Sequence, residues 1–307
     1  MKDSDITEYL RNLAQNCVKE KRYDDAVLLY RKLVAMRPGE ESLRLALAWA
    51  YLDGGMRMEA VDCFEHLLAM ELERKVFTGF AFDELVRIFK EERQYDRLVE
   101  ICERVVAEHP DDMGFLGDLG EAYLQAGKAG RAVEVFEKMT KMEPDASTAF
   151  CQLGNALIAK GDLDGAEQAY VKAVEIDPLD AGTFFSRLAG AYGDAGHDER
   201  AERAYRKSLE YGNDEPAYHL CLGDVLVRLG RLKDAELAYE KAVELNRRDA
   251  GAFYNRLGNV LAKEGCHSQA IEIYKKAMAA DPQNPFYPLR LAQSCSALGL
   301  TDPPVKP

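Results

Sequence analysis

The stretch STAFCQLGNALIAKGDLDGAEQAYVKAVEIDP, residues 147–178, decides the fold. Two amphipathic runs flank Gly161, a residue that relieves the backbone where a helix ends. Each run carries a small residue, Gly154 in the first and Ala166 in the second, where two helices cross closely. A larger side chain there would force the helices apart. Tyr170 follows Ala166 by four residues, and Pro178 ends the stretch.

The same spacing recurs on both sides. Gly120, Gly154, Gly223 and Gly258 each precede an alanine (Ala132, Ala166, Ala235, Ala270) by twelve residues, and an aromatic (Phe136, Tyr170, Tyr239, Tyr274) follows four residues later. Pro110, Pro144 and Pro178 stand 34 residues apart. Turn glycines recur at Gly55, Gly127, Gly161, Gly196, Gly230 and Gly265. Small pairs extend the pattern at Ala14 with Ala26, Ala48 with Ala60, and Ala189 with Ala201, and Tyr30, Phe64 and Tyr205 supply the aromatics. One such unit cannot bury its own apolar face, so stability has to come from stacking neighbours.

On these residues the chain resembles the tetratricopeptide repeat family, whose pattern sets Leu-Gly, Tyr, Ala, an aromatic, Ala and Pro at fixed offsets in a 34-residue period. Units begin near Thr7, Glu41, Gly79, Met113, Ser147, Gly182, Pro216 and Gly251. The resemblance implies an all-α, right-handed superhelical solenoid of about eight helix-turn-helix repeats. A further helix begins near Pro285 and carries Leu289, Leu291, Ala292, Cys295 and Leu298 before Gly299. It is expected to cap the array, which needs a cover over its last apolar face.

Departures divide the chain. The third unit has Val86 for the small residue, Leu98 for the alanine and Cys102 for the aromatic, and extra residues fall around 73–78. Repeats one and two (1–78) are therefore set apart from repeats three to eight (79–284), with residues 73–78 either a hinge or the lead into a divergent unit packed as usual. Units six and seven close on Asn213 and Arg247 in place of proline. The capping helix is expected over 285–299, and the Pro-rich tail 300–307 cannot continue it.

Composition excludes several classes. The hydrophobic content of 47% rules out a wholly disordered chain. The formal net charge of −13 argues against binding along a nucleic acid or an anionic membrane. The seven cysteines are scattered without C-x-x-C spacing, which fits reduced thiols and a cytoplasmic location. No signal peptide or membrane-spanning run is evident, so membrane insertion is not expected.

Nothing in the sequence points to catalysis, a metal or a cofactor. The five histidines fall in different units without metal-ligand spacing, and the glycine pairs lie in helical turns or helices, where no strand precedes them. Function is expected on the concave face, lined mainly by the first helix of each unit. There Asp83, Glu84, Asp118 and Glu121 make units three and four acidic. From unit five onward the same kind of position holds Gln152, Asn155, Arg187, Arg228, Asn255, Arg256, Asn259, Lys263 and Arg290. Guanidinium forks suit carboxylates and side-chain amides suit an extended backbone, so this track is expected to bind a protein or peptide, either an acidic segment or a free C-terminal carboxylate. Pairing with acids on neighbouring helices is the alternative. Some co-chaperones of the family clamp a carboxylate end with Lys and Asn in one unit, Asn in the next, and Lys and Arg in a third. Asn259 and Arg290 match two of these roles, but no lysine stands at the first, so chaperone-tail binding is not expected.

Trp49 projects towards the groove near Phe80 and Arg87, which makes Trp49 and Arg87 a secondary candidate site through cation–π stacking. These features imply a non-catalytic interaction scaffold. The alternative is a regulatory or substrate-selecting arm of a larger enzyme such as a glycosyltransferase, and an RNA-binding solenoid is opposed by the charge. Phe286, Tyr287, Leu289 and Leu291 leave self-association through the terminal helix open.

Overall fold

The computed structural model describes residues 3–211 and 215–300, and among them the chain forms seventeen α-helices and no strand. In chain order these are α1 (Asp3–Lys19), α2 (Tyr23–Met36), α3 (Glu41–Asp53), α4 (Arg57–Arg74), α5 (Phe80–Glu91), α6 (Tyr95–Glu108), α7 (Met113–Gln125), α8 (Ala129–Met142) and α9 (Ser147–Lys160). They continue with α10 (Leu163–Ile176), α11 (Ala181–Asp194), α12 (Asp198–Tyr211), α13 (Pro216–Arg228), α14 (Leu232–Leu245), α15 (Ala250–Lys263), α16 (His267–Ala280) and α17 (Phe286–Ala297). Eight helix pairs and one further helix thus follow the repeat read in the sequence. Asn213 and residues 301–307 of the expected tail lie outside the described residues. Among the described residues no helix is long and apolar enough to cross a membrane.

The chain divides into two compact units, Met1–Val135 and Phe136–Pro307. In each, consecutive helices stack on the small residues of the repeat. Ala14, Ala26, Ala48, Ala60, Ala166, Ala189, Ala201, Ala235 and Ala270 are fully buried, and the aromatics Tyr30, Phe64, Tyr170, Tyr205, Tyr239 and Tyr274 close over them. Tyr170 also stacks flat on Phe184 of the following repeat, with ring centroids 5.5 Å apart. The divergent third repeat fills the same positions differently. Leu98 and Cys102 are buried and Val86 half-buried, and burial pushes the Cys102 thiol up to about 12, which makes it a neutral packing group.

All six turn glycines of the repeat adopt positive φ, and so do Lys21 (58°) and Arg93 (56°), which occupy the same turn in the first and third repeats. Closing each helix pair fixes this backbone geometry whichever residue is present. Residues 73–78 are tied down locally. The Thr78 hydroxyl donates to the buried Glu71 carboxylate, and the Thr78 backbone N–H lies 3.4 Å from Glu71 Oε2. Phe77 packs against Phe82, His109 and Phe115 at centroid distances of 6.1, 5.4 and 5.1 Å.

Candidate functional site

In the second compact unit the first helices of successive repeats, α9, α11, α13, α15 and α17, each touch the next and form an inner wall. The expected track lies on this wall: Gln152 and Asn155 on α9, Arg187 on α11, Arg228 on α13, Asn255, Arg256, Asn259 and Lys263 on α15, and Arg290 on α17.

A recurrent latch organises it. Tyr170 donates its hydroxyl to Asn155 Oδ1 at 2.6 Å, and Arg187 of the next repeat donates to the same oxygen. Tyr239 likewise donates to Asp224, whose other oxygen accepts from Arg256 Nε at 3.1 Å and Nη2 at 2.6 Å. In the last copy Tyr274 donates to Asn259 Oδ1 at 2.9 Å. There Arg290 lies close enough to lower the Tyr274 pKa, which burial raises, but its guanidinium bonds only Gln293 of its own helix, at 3.3 Å. The first two latches join both helices of one repeat to the first helix of the next, and a charge-assisted bond in them is roughly twice as strong as a neutral one.

The basic track is therefore not uniformly free. Arg228 is held by Asp198, 2.8 Å from Nε and 2.7 Å from Nη2, and its guanidinium crosses Gly193, where a Cβ would sit 3.0 Å from Nη2. Arg256 is held by Asp224 and pushed above its ordinary range, against the cost of its burial. Arg187 is held by a neutral amide and forms no ion pair among the described residues. Lys263 and Arg290 pair with no carboxylate among the described residues. Asn255 Oδ1 is buried without a hydrogen-bond partner, and Gln152 is half-buried.

Two clefts open between the latches. One, of about 570 Å³, is lined by Ile158, Leu163, Arg187, Gly190 and Asp194 among others. The second, of about 380 Å³, shares Gly190 and Asp194 and adds Tyr205, Cys221, Asp224, Arg228, Arg256 and Lys263. Asp194, Asp224 and Tyr205, which line the second cleft, and Asp198, which holds Arg228, are neighbours of the track that the sequence reading missed. The available signal was a Gly-Asn or Gly-Asp step at 154–155, 223–224 and 258–259, followed each time by a tyrosine fifteen residues after the Asn or Asp.

The secondary pair does not meet as expected. Trp49 packs edge-on against Phe64 of its own repeat at 5.9 Å, while Arg87 is bound by Glu84 at 2.6 Å and Glu91 at 2.8 Å on its own helix. Two carboxylates one helical turn to either side hold the guanidinium, so no cation–π contact joins it to Trp49 among the described residues. Nearby, burial and then Glu121, Asp83 and Asp112 push the Asp118 carboxyl up, and Lys90 opposes this.

Comparison with known proteins places this geometry in context. The family model described as tetratricopeptide repeat matches residues 86–142, 118–181, 187–250 and 222–285, together more than half of the chain. Among solved structures, that of Naa15/Naa10 bound to HypK-THB is similar over 95% of this chain and 46% of that one, at 16% identity and a TM-score of 0.50. The C-terminal part of a TPR repeat-containing protein from Cytophaga hutchinsonii is similar over 91% of this chain and 98% of that one, at 16% identity and a TM-score of 0.47. YrrB, described as a TPR protein with an unusual peptide-binding site, covers 64% of this chain and 99% of its own at 17% identity and a TM-score of 0.44. At these identities the likeness is one of fold. A search of the curated proteins found no match.

Proposed function

Because the chain belongs to the tetratricopeptide repeat family, we propose that it is a non-catalytic cytoplasmic scaffold that binds an extended, acidic segment or chain terminus of a partner protein along the inner wall of α9 to α17. The observation that carries this reading is the pair of adjoining clefts ringed by Arg187, Arg228, Arg256 and Lys263. An extended peptide presents unpaired backbone amides and carbonyls, and the wall offers it Gln152, Asn255 and Asn259 beside the cations. Lys263 and Arg290 are the residues to test, because replacing Arg228 or Arg256 would also strand an internal carboxylate.

The experiment is capture of partners from the native lysate with the wild-type chain and with a Lys263→Glu, Arg290→Glu double variant, both checked for helicity by circular dichroism. Loss of one or more partners in the variant supports the reading. An unchanged set overturns it and directs attention to the outer helices.

A further inference from the structure

The inner wall of residues 147–300 repeats one device and omits it once. Asn155, Asp224 and Asn259 each place a side-chain acceptor under the tyrosine of their own repeat. In the sixth repeat the acceptor position is Gly190, and the position of the latching arginine on the next helix is Cys221. The tyrosine remains. Tyr205 is buried, its hydroxyl neighbours Cys221, and its pKa is raised by burial first and then by Cys221 and Asp224, with Arg228 near enough to oppose them. A Cβ on Gly190 would meet only Tyr205 Oη, 3.8 Å away, so the place of the missing acceptor is open space. It forms part of the 380 Å³ cleft, in whose lining Arg228 is held by Asp198 and Arg256 by Asp224, while Lys263 and Asp194 have no ion-pair partner among the described residues.

We propose that this notch between α11 and α13 receives a carboxylate from the partner, which takes the place of the Asn or Asp side chain that Gly190 lacks. The inserted group accepts from the Tyr205 hydroxyl and from the surrounding cations, with Lys263 the one that no internal carboxylate already holds. Two facts select an acceptor over a donor. The other repeats of residues 147–300 all hold an acceptor at this point, and the groups left to meet an insert, the Tyr205 hydroxyl and the Lys263 ammonium, are donors. Asp194 has no arginine partner and opposes an anion, and the Lys263 ammonium, which no internal carboxylate holds among the described residues, offsets it. The inference rests on the inner-wall reading above and fixes where along the wall the anion sits. The carboxylate has two sources, an aspartate or glutamate within a segment and a free chain terminus.

The test is an amide NMR titration of the full chain with three probes: N-acetyl-Gly-Gly-Gly with a free carboxylate, N-acetyl-Gly-Asp-Gly-amide, and the neutral N-acetyl-Gly-Asn-Gly-amide. Saturable shifts at Gly190 and Gly193 are expected with one or both carboxylate peptides and not with the neutral one, and the peptide that binds more tightly identifies the source. Gly190→Asn supplies the missing acceptor from within, so it should raise the melting midpoint while weakening the peptide about tenfold, and Lys263→Gln, which removes the cation that no internal carboxylate holds, should weaken it to a similar extent. The proposal is overturned if neither carboxylate peptide moves Gly190 or Gly193, or if folded Gly190→Asn and Lys263→Gln both bind as the wild type does. Shifts confined to Arg290 and its neighbours on α17 would remove the notch and leave the inner-wall reading standing. No shift anywhere on α9 to α17 would remove both.

Discussion

A Cβ added to Gly223 would stand 2.5 Å from Cδ2 of Tyr239, and the same near-coincidence recurs between Gly154 and Tyr170 at 2.6 Å and between Gly258 and Tyr274 at 2.5 Å. The tyrosine ring lies directly on the helix backbone of its own repeat. Alanine is a better helix former than glycine by about 1 kcal/mol. At these three positions the gain is expected to be outweighed by overpacking of about 1–3 kcal/mol. Gly190→Ala has room and should instead stabilise by about 0.5–1 kcal/mol. Urea midpoints of the four variants check this. Equal shifts at all four positions would show that the rings repack freely.

Lys21 and Arg93 hold a left-handed backbone that their side chains disfavour by roughly 1–2 kcal/mol. Glycine replacements at these two turns should therefore raise the melting midpoint, since the left-handed residue makes its turn at no steric cost. The same change at Gln15, an exposed position inside α1, should lower it.

Asp224 accepts at once from Tyr239 and Arg256. Removing the carboxylate by Asp224→Ala leaves two part-buried donors without an acceptor, which costs about 1–3 kcal/mol. Adding Tyr239→Phe should cost less than the sum of the single changes, because one orphaned donor has gone. Strict additivity in that cycle would show that the hydroxyl and the carboxylate act independently.

Alkaline pH should unfold the protein before ordinary chain chemistry does. Burial pushes the Tyr170 phenol from 10.0 up to about 12. The native state holds the proton more tightly than the unfolded chain. Its contribution is therefore complete below pH 10 and fades as pH rises from there through 12. A shift of that size corresponds to about 3 kcal/mol. Helicity followed by circular dichroism should fall over this window together with a late rise in tyrosinate absorbance, and Tyr170→Phe should flatten part of that dependence.

Trp49, the only tryptophan, reports on the first compact unit alone. It is 38% exposed and fixed edge-on against Phe64. A partner bound along α9 to α17 should leave its emission unchanged. A blue shift on binding would bring α3 into the interface and revive the secondary site.

Most of the fold was legible because it follows from side-chain volume at fixed spacing. Gly154, Ala166 and Tyr170 specify a close crossing covered by a ring, and that relation is local enough to read from one repeat. The first and third repeats were harder, since Lys21 and Arg93 carry no sign of a left-handed turn, and Leu98 with Cys102 fills the alanine and aromatic positions by another combination of volumes. Residues 73–78 read as irregular, yet Glu71, Thr78 and Phe77 pin the segment through contacts with residues far from it in sequence, such as His109 and Phe115.

The sequence by itself determined the helix pairs, their small-residue crossings, the inner face and which residues project from it, because a period of 34 residues repeats the same local physics. Only the tertiary structure decided which of those residues are available. Arg187, Arg228 and Arg256 look alike along the chain, but their partners Asn155, Asp198 and Asp224 stand about thirty residues away, and stacking brings each pair together. It likewise gave Gly190 its meaning. A glycine in a helix is a small residue in sequence, whereas over the Tyr205 hydroxyl it leaves open the position that Asn155 and Asp224 fill in the neighbouring repeats.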